Sequence, residues 1–158
     1  MKLLLYISLI TTILFSQEIN FKETKYIYAL DNELHKNGTL NINKDTISLR
    51  YTNSDQKIIY TNDNIQIKTK NTTEIYTHEE SIEYNIFFQL VLGVYTNNSQ
   101  ILMENFTIKS QDDMTTLLPT EYLASVIETI EYKKEDDKLK FLKINFTNQD
   151  RITIEEIE

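Results

Sequence analysis

The 158-residue chain has no cysteine, two glycines, one proline and two histidines, and most of these shortages exclude a class of site. Without cysteine there is no disulfide, no thiol nucleophile and no cysteine-based metal site. Gly38 and Gly93 are too few and too far apart for a glycine-rich loop around phosphate groups. His35 and His78 belong to no H-E-x-x-H zinc motif, and we interpret both as solvated surface residues.

The chain is also poor in basic residues. Sixteen lysines and arginines stand against 24 acidic residues, which gives a net charge of −8 with no basic stripe. Proteins that bind nucleic acid gain much of their affinity from basic contacts to phosphate, so this function is excluded. No G-x-S-x-G or other nucleophile motif occurs, and we expect no enzymatic activity, no cofactor and no metal. The alternative is a hydrolase whose carboxylate pair is assembled by the fold.

The first 16 residues have the pattern of a secretory signal peptide. Lys2 precedes an apolar run from Leu3 to Phe15, which is shorter than the about 20 residues of a membrane-spanning helix. The small residue Ser16 follows, and we expect cleavage after it and export from the cytoplasm. Residues 17–158 are then expected to form a single domain. A buried N-terminal helix or a membrane anchor is the alternative interpretation.

Strand patterning is clearest in residues 38–67. Apolar residues alternate there with polar ones in four short runs, which is the pattern of half-buried strands. Turn-forming residues separate the runs at 44–45, 53–55 and 62–63. Such a meander has one dry face and one wet face. The residues predicted for the dry face are Leu40, Ile42, Ile47, Leu49, Tyr51, Ile58, Tyr60, Ile65 and Ile67.

Residues 83–95 change to helical spacing and are apolar almost all round. A surface helix keeps a polar face, so this segment is expected to be covered by protein or by ligand. A core helix or a core strand is the alternative. The residues predicted to cover the dry face of the sheet are Ile86, Phe87, Leu90, Val91 and Val94.

Further strands are expected on both sides of the meander. Residues 20–30 have a strand pattern, with turn signals at 32–33 and 37–38. The later strand patterns lie at 74–77, 101–109, 114–118, 126–132, 138–147 and 151–157. Ten or eleven antiparallel strands with one or two helices result, and so long a sheet must curl, split or close to hide its apolar face.

Several short motifs occur in order along the chain. They are F-K-E-T from Phe21, G-T-L from Gly38, I-S-L-R-Y from Ile47, and I-I-Y-T-N-D-N from Ile58. In this order they resemble the F-x-Q-x, G-x-L, F-x-W-x-Y and I-I-x-x-D-G elements of the LolA family, the periplasmic carriers of outer-membrane lipoproteins. Leu118-Pro119 resembles the family's L-x-P segment, and residues 139–154 resemble its closing hairpin.

The chain also departs from the family pattern. Leu49 replaces a tryptophan, and Asn64 replaces a glycine. Lys44-Asp45 stands where the family has an Arg-Pro turn. The family arginine is associated with closing a lid over the cavity, which makes Lys44 the lid or gating candidate. The family's amphipathic first helix has no counterpart here, because only residues 17–20 separate the expected cleavage site from the first strand.

The resemblance implies a mainly β fold of the α+β type, in which helices cover a half-open, incomplete barrel. It also implies a monomeric periplasmic carrier that shields the acyl chains of lipoproteins in a hydrophobic cavity during transit from inner to outer membrane. An inner-membrane lipoprotein-releasing transporter and an outer-membrane acceptor would be its partners. The alternative is a non-enzymatic periplasmic binding or sensor protein that uses the same fold for another lipid or a protein partner.

Overall fold

The computed structural model describes residues 16–158, so the predicted signal peptide lies outside the described residues apart from Ser16. Eleven strands and two α-helices make up this part of the chain. The strands are β1 (Ser16–Ile27), β2 (Asn32–Asn43), β3 (Thr46–Tyr51), β4 (Lys57–Thr61), β5 (Ile65–Lys68), β6 (Thr73–Tyr76), β7 (Phe106–Gln111), β8 (Met114–Pro119), β9 (Ile127–Glu135), β10 (Lys138–Phe146) and β11 (Arg151–Ile157). The helices are α1 (Ile82–Tyr95) and α2 (Ser99–Met103), and short 3₁₀ helices lie at Tyr28–Leu30 and Glu121–Ser125.

All eleven strands belong to one antiparallel sheet with the order β6-β5-β4-β3-β2-β1-β11-β10-β9-β8-β7. β1 and β11 pair with each other at the centre of this order, although they lie at opposite ends of the described chain. β6 and β7 form the two edges, and α1 and α2 connect them. The prediction of a mainly β fold, with helices covering an incomplete barrel, is confirmed.

Cross-strand register brings the predicted dry-face residues onto one face. Leu40 of β2 pairs with Leu49 of β3, Leu49 pairs with Ile58 of β4, and Ile58 pairs with Ile67 of β5. A second row across the same strands consists of Ile42, Ile47, Tyr60 and Ile65. Directly opposed residues of an antiparallel pair share a face, so the meander has the single concave apolar surface that its alternation predicts.

α1 lies on this concave face and contributes its most buried residues to the core. Phe88 is completely buried, and Leu90, Val91 and Val94 are nearly so. They join one cluster with apolar residues from both halves of the sheet. No helix within residues 16–158 has both the length and the apolar content needed to cross a membrane.

Two predicted strands start several residues away from their observed first residue. The strand predicted for 101–109 starts only at β7, because Ser99–Met103 is helical. The side-chain oxygen of Asn98 accepts hydrogen bonds from the backbone N–H groups of Gln100 and Ile101, which caps this short helix. The first strand starts at Ser16 instead of residue 20, because its pairing with β2 extends to that residue.

The prediction of turns at 32–33 and 37–38 is wrong. Both pairs lie inside β2. The chain reverses earlier, in the 3₁₀ helix Tyr28–Leu30 and at Asp31, whose φ of 45° lies in the left-handed region. Asparagine and aspartate tolerate this region better than most residues, so the single aspartate is sufficient to end the helix and start β2.

Gly38 is required by close packing and not by a turn. A Cβ atom at this position would lie 2.5 Å from the ring of Phe21 and 2.8 Å from the carbonyl oxygen of Arg50. We therefore expect Gly38→Ala to lower the free energy of unfolding by about 1–3 kcal/mol, because a packed core responds to an added methyl group with strain. Urea denaturation measures this loss. Thr39→Ala on the opposite face is the control, and an equal loss in both variants would refute the packing argument.

Candidate functional site

The candidate site lies between α1 and the concave face of the sheet. Residues from the two halves of the sheet and from α1 enclose a small apolar cavity of about 20 Å³. Its lining consists of Phe21, Leu40, Leu49, Phe87, Val91, Tyr95, Leu139, Leu142 and Ile154. A cavity of this size holds about one water molecule, so α1 itself fills the hollow of the barrel.

The residues predicted to contact the ligand all come together in one cluster. Six of the concave-face residues are at most 4 % exposed: Leu40, Ile42, Ile47, Leu49, Ile58 and Ile65. Tyr51, Tyr60, Ile67 and Phe87 are half-buried, whereas Ile86, Leu90, Val91 and Val94 are buried. Each of these side chains therefore already has protein neighbours, and its contact with a ligand stays a prediction.

The second half of the chain supplies residues of the cavity floor, which is the sheet surface beneath α1, that were not predicted from the sequence. Leu139, Leu142 and Ile154 line the cavity opposite the meander. The alternation of β10 and β11 was visible in the sequence, but nothing in it shows that β11 pairs with β1. Phe88 was missed for another reason. It lies beside the stripe of residues predicted to cover the sheet, yet it is the most deeply buried side chain of α1.

The C-terminal end of α1 is attached to the sheet by a lysine. Lys134 of β9 donates hydrogen bonds from Nζ to the carbonyl oxygen of Val94 at 3.3 Å and to Oδ1 of Asn97 at 3.0 Å. A cation at the carboxyl end of a helix also interacts favourably with the helix dipole. Lys44, the gating candidate, lies exposed in the turn between β2 and β3.

Aromatic stacking attaches the N-terminal end of α1 to the meander. The ring of Tyr60 lies between Phe88, at 5.3 Å, and His78, at 4.9 Å. The Tyr60 hydroxyl donates a hydrogen bond to Oδ1 of Asn85 at 3.1 Å. Nε2 of His78 donates to the carbonyl oxygen of Thr61 at 3.0 Å. His78 is therefore half-buried in this contact, which corrects its interpretation as a solvated residue.

Two tyrosines near the hollow are protected from ionisation. Burial raises the pKa of Tyr51 far above its usual value, and the hydrogen bond that its hydroxyl donates to Glu23 at 2.6 Å raises the pKa further. Burial likewise raises the pKa of Tyr95, and the carboxylate of Glu156 adds to this effect. Both side chains therefore stay neutral to a higher pH than a free tyrosine does.

These raised pKa values lead us to expect a loss of stability at alkaline pH. Unfolded tyrosines ionise near pH 10, whereas Tyr51 and Tyr95 keep their protons in the folded chain. Above this pH the folded state binds more protons than the unfolded state. Stability therefore falls as pH rises, by about 1.4 kcal/mol per pH unit for each such tyrosine.

Urea denaturation between about pH 8 and pH 11 measures this slope, because the range brackets the pKa of a free tyrosine. Tyr51→Phe is expected to have a shallower slope than the unsubstituted chain. Tyr122→Phe is the control, since Tyr122 is 53 % exposed, and it is expected to leave the slope unchanged. A Tyr51→Phe slope equal to that of the unsubstituted chain would contradict the protection of Tyr51.

A cleft of about 580 Å³ adjoins the hollow. Its apolar side consists of Leu49, Ile58 and Tyr84, and Leu49 also lines the small cavity under α1. Its polar side belongs to β2 and to the chain around the β3–β4 turn, and consists of His35, Lys36, Asn37, Tyr51, Thr52, Asn53, Ser54 and Gln56. The volume lies within the range of about 300–1,000 Å³ typical of ligand pockets.

Among residues 16–158, no group of three or more histidine, aspartate or glutamate side chains is placed to hold a metal ion. Over the same residues, every buried side-chain nitrogen or oxygen has a hydrogen-bond partner. The arrangement offers an apolar sheet surface, a single helix that covers it and an adjoining polar cleft. Together these features suit the binding of an amphiphile.

Comparison with known proteins finds similarity in solved structures alone. No family model and no curated protein matches the chain. An outer-membrane lipoprotein-sorting protein domain from Vibrio parahaemolyticus is 5% identical, with a TM-score of 0.48 over 90% of this chain and 83% of that one. A LolA superfamily protein from Nitrosomonas europaea is 7% identical, with a TM-score of 0.46 over 90% and 84%. With identities this low and both TM-scores below 0.5, the resemblance to LolA-like proteins stays the prediction made from the sequence motifs.

Proposed function

We propose that this chain is an exported carrier that holds the acyl chains of lipoproteins between α1 and the concave face of its sheet. The observation that carries the proposal is the way α1 is held. Apolar side chains such as Phe88 and Val91 occupy the hollow of a barrel whose edges, β6 and β7, are far apart in the strand order. Acyl chains can replace such contacts with contacts of the same kind.

The polar attachments of α1 lie mostly at its ends. Asn85 contacts Tyr60 near the start of the helix, and Lys134 contacts its last turn. Gln89 accepts a hydrogen bond from Asn105, which follows α2. The backbone hydrogen bonds of a helix are internal, so α1 can leave the sheet without unfolding. Displacement therefore costs mainly the apolar contacts that the acyl chain then restores.

The energies of this exchange are of similar size. Hiding one methylene from water stabilises by about 0.8 kcal/mol, so an acyl chain of about 16 carbons gains on the order of 12 kcal/mol. Fully burying a large apolar side chain contributes about 1.5–3 kcal/mol. Helix α1 buries five such side chains. A balanced exchange allows both uptake and release, which a carrier needs. It requires no nucleophile, metal or cofactor, and we propose that the chain is not an enzyme.

The proposed setting is the periplasm, reached through the signal peptide and its cleavage after Ser16. There the chain would act as a monomer. It would receive lipoproteins from an inner-membrane lipoprotein-releasing transporter and deliver them to an outer-membrane acceptor. These partners follow from the resemblance in sequence, and the carrier function makes them necessary because a lipid anchor cannot cross an aqueous compartment unshielded.

A second candidate is a periplasmic binding or sensor protein for another lipid or for a protein. The observation that favours it is the tight packing of α1, which leaves only about 20 Å³ beneath the helix. A scaffold needs no larger hollow. The two candidates differ in the molecule that the hollow binds. A carrier binds the acyl chains of a lipoprotein there, whereas the second candidate binds another lipid or leaves the hollow filled by α1.

Native mass spectrometry of the protein purified from its own periplasm distinguishes these candidates. A bound acylated polypeptide, released by detergent, is the expected result for a carrier. A free lipid, or a clean mass of the chain alone, would favour the second candidate. N-terminal sequencing of the same sample is expected to start at Gln17, and a start at Met1 would contradict export.

A further inference from the structure

We propose that the cleft beside the hollow binds the uncharged polypeptide segment that follows the lipid-bearing residue of the cargo. The proposal rests on the proposed carrier function, because it assigns a second site to the same cargo. Three features of the cleft support it: its position relative to the hollow, the chemistry of its lining and its balance of charge.

The position of the cleft makes it the natural outlet of the hollow. Leu49 lines both spaces, and Ile58, its cross-strand partner, continues the apolar floor into the cleft. Tyr84 from the first turn of α1 forms the opposite wall. An acyl chain held under α1 and leaving past Leu49 would therefore bring its polar end into the cleft.

The lining of the cleft suits peptide groups. Asn53 and Gln56 carry amides, which both donate and accept hydrogen bonds, and Thr52 and Ser54 add hydroxyls. A polypeptide presents alternating N–H donors and carbonyl acceptors, so it can satisfy both kinds of group along one extended segment. A lipid whose polar end is a carboxylate or a phosphate only accepts hydrogen bonds. It can therefore use the donors of the cleft lining but not its acceptors.

The two basic residues of the cleft lining have acidic neighbours just outside it, which argues against an anionic headgroup. Lys36 is the direct cross-strand partner of Glu23, and its Nζ lies 5.0 Å from the ring centre of Tyr51, whose hydroxyl binds that same glutamate. Nε2 of His35 lies 3.8 Å from a carboxylate oxygen of Glu33. Each of the two basic lining residues thus has an acidic neighbour on the sheet, which weakens the positive field that the cleft offers to a phosphate.

The test compares two probes that share one acyl chain. The first is N-palmitoyl Ser-Ser-Asn-Ala with an amidated C-terminus, which carries no charge, and the second is palmitamide, which has no peptide. We expect the unsubstituted chain to bind the lipopeptide about tenfold more tightly than palmitamide, as one or two net hydrogen bonds would give. Isothermal titration calorimetry measures both affinities.

A pair of nearly isosteric variants locates the difference. Asn53→Asp with Gln56→Glu removes amide donors from the cleft and is expected to lower the affinity for the lipopeptide to that for palmitamide, so that the tenfold preference is lost. Asn62→Asp with Asn71→Asp adds the same two charges at exposed turns outside the cleft and is expected to keep the preference.

The remaining outcomes separate this proposal from the carrier function. Equal affinity for the two probes in the unsubstituted chain, or a preference that survives in the cleft variant, would overturn the peptide site. A palmitoyl lysophosphatidylglycerol that binds more tightly than the lipopeptide would assign the cleft to a phosphate headgroup instead. If palmitamide does not bind but the lipopeptide does, the peptide site stands and the acyl carrier fails.

Discussion

Cross-linking the C-terminal end of α1 to β9 is expected to slow the uptake of acyl chains at least about tenfold. The reason is the size of the hollow, since about 20 Å³ beneath the helix admits no acyl chain unless α1 moves. The side chains of Asn97 and Lys134 are in contact at 3.0 Å, so cysteines at these two positions suit a short bis-maleimide linker. The chain has no other cysteine, so the linker reacts at this pair alone.

Stopped-flow fluorescence with a palmitoyl probe measures the rate of uptake. The linked protein is expected to take up the probe at least about tenfold more slowly than the same protein before linking, because the state that binds is no longer populated. Comparing the protein before and after linking separates the effect of the tether from the loss of the Lys134 hydrogen bonds.

A second tether serves as the control. Thr39 of β2 donates a hydrogen bond to Asn20 of β1 on the face of the sheet that α1 does not cover. Cysteines at these positions are expected to be linked equally well and to leave uptake unchanged. Full uptake by the protein linked between α1 and β9 would show that acyl chains do not displace the helix, and the hollow would then lose its role as the binding site.

The two adjacent phenylalanines of α1 are expected to differ sharply when each is replaced by alanine. Phe88 is completely buried and stacks on Tyr60, so Phe88→Ala is expected to cost about 3–5 kcal/mol of unfolding free energy. This is a large part of the about 5–15 kcal/mol that stabilises an ordinary domain. Phe87 is half-buried at the small cavity, so Phe87→Ala is expected to cost about 1–2 kcal/mol.

The same pair separates folding from binding. Phe87 lines the space that the acyl chain is proposed to enter, so Phe87→Ala is expected to change the affinity for palmitamide while the protein remains folded. Urea denaturation and calorimetry on both variants measure the two effects. Equal losses of stability would contradict the burial difference between these neighbours. An unchanged palmitamide affinity in Phe87→Ala would remove this residue from the site.

Much of the fold could be predicted because its signals are local. The alternation of Ile47, Leu49 and Tyr51 assigns these side chains to one face of a strand, whatever the strand pairs with. The turns within the meander lie where their polar residues indicate, and α1 begins one residue before the predicted segment. Errors occurred where local signals were ambiguous, as at Asn37 and Gly38, which favour a turn in sequence but lie in the middle of β2.

The candidate site could be predicted only in part, because its geometry depends on contacts between distant residues. The resemblance in sequence indicates Lys44 as the gating candidate, and this role stays a prediction, whereas the structure shows a contact between Lys134 and the end of α1. The position of Lys134 in β9, in step with the inward-facing Ile130 and Tyr132, was a usable signal. The sequence does not show the path of α1 across the sheet. This path decides which inward-facing side chain reaches the helix.

The sequence by itself determined the strands, their dry face, the apolar helix and the absence of thiol chemistry, since each follows from residue type and short-range spacing. Only the tertiary structure decided that β1 pairs with β11, that Gly38 makes room for Phe21 and that α1 fills the hollow. These features depend on how a long sheet curves and on which helix face meets it. Both arise from packing between segments that lie far apart in sequence, which local patterns do not encode.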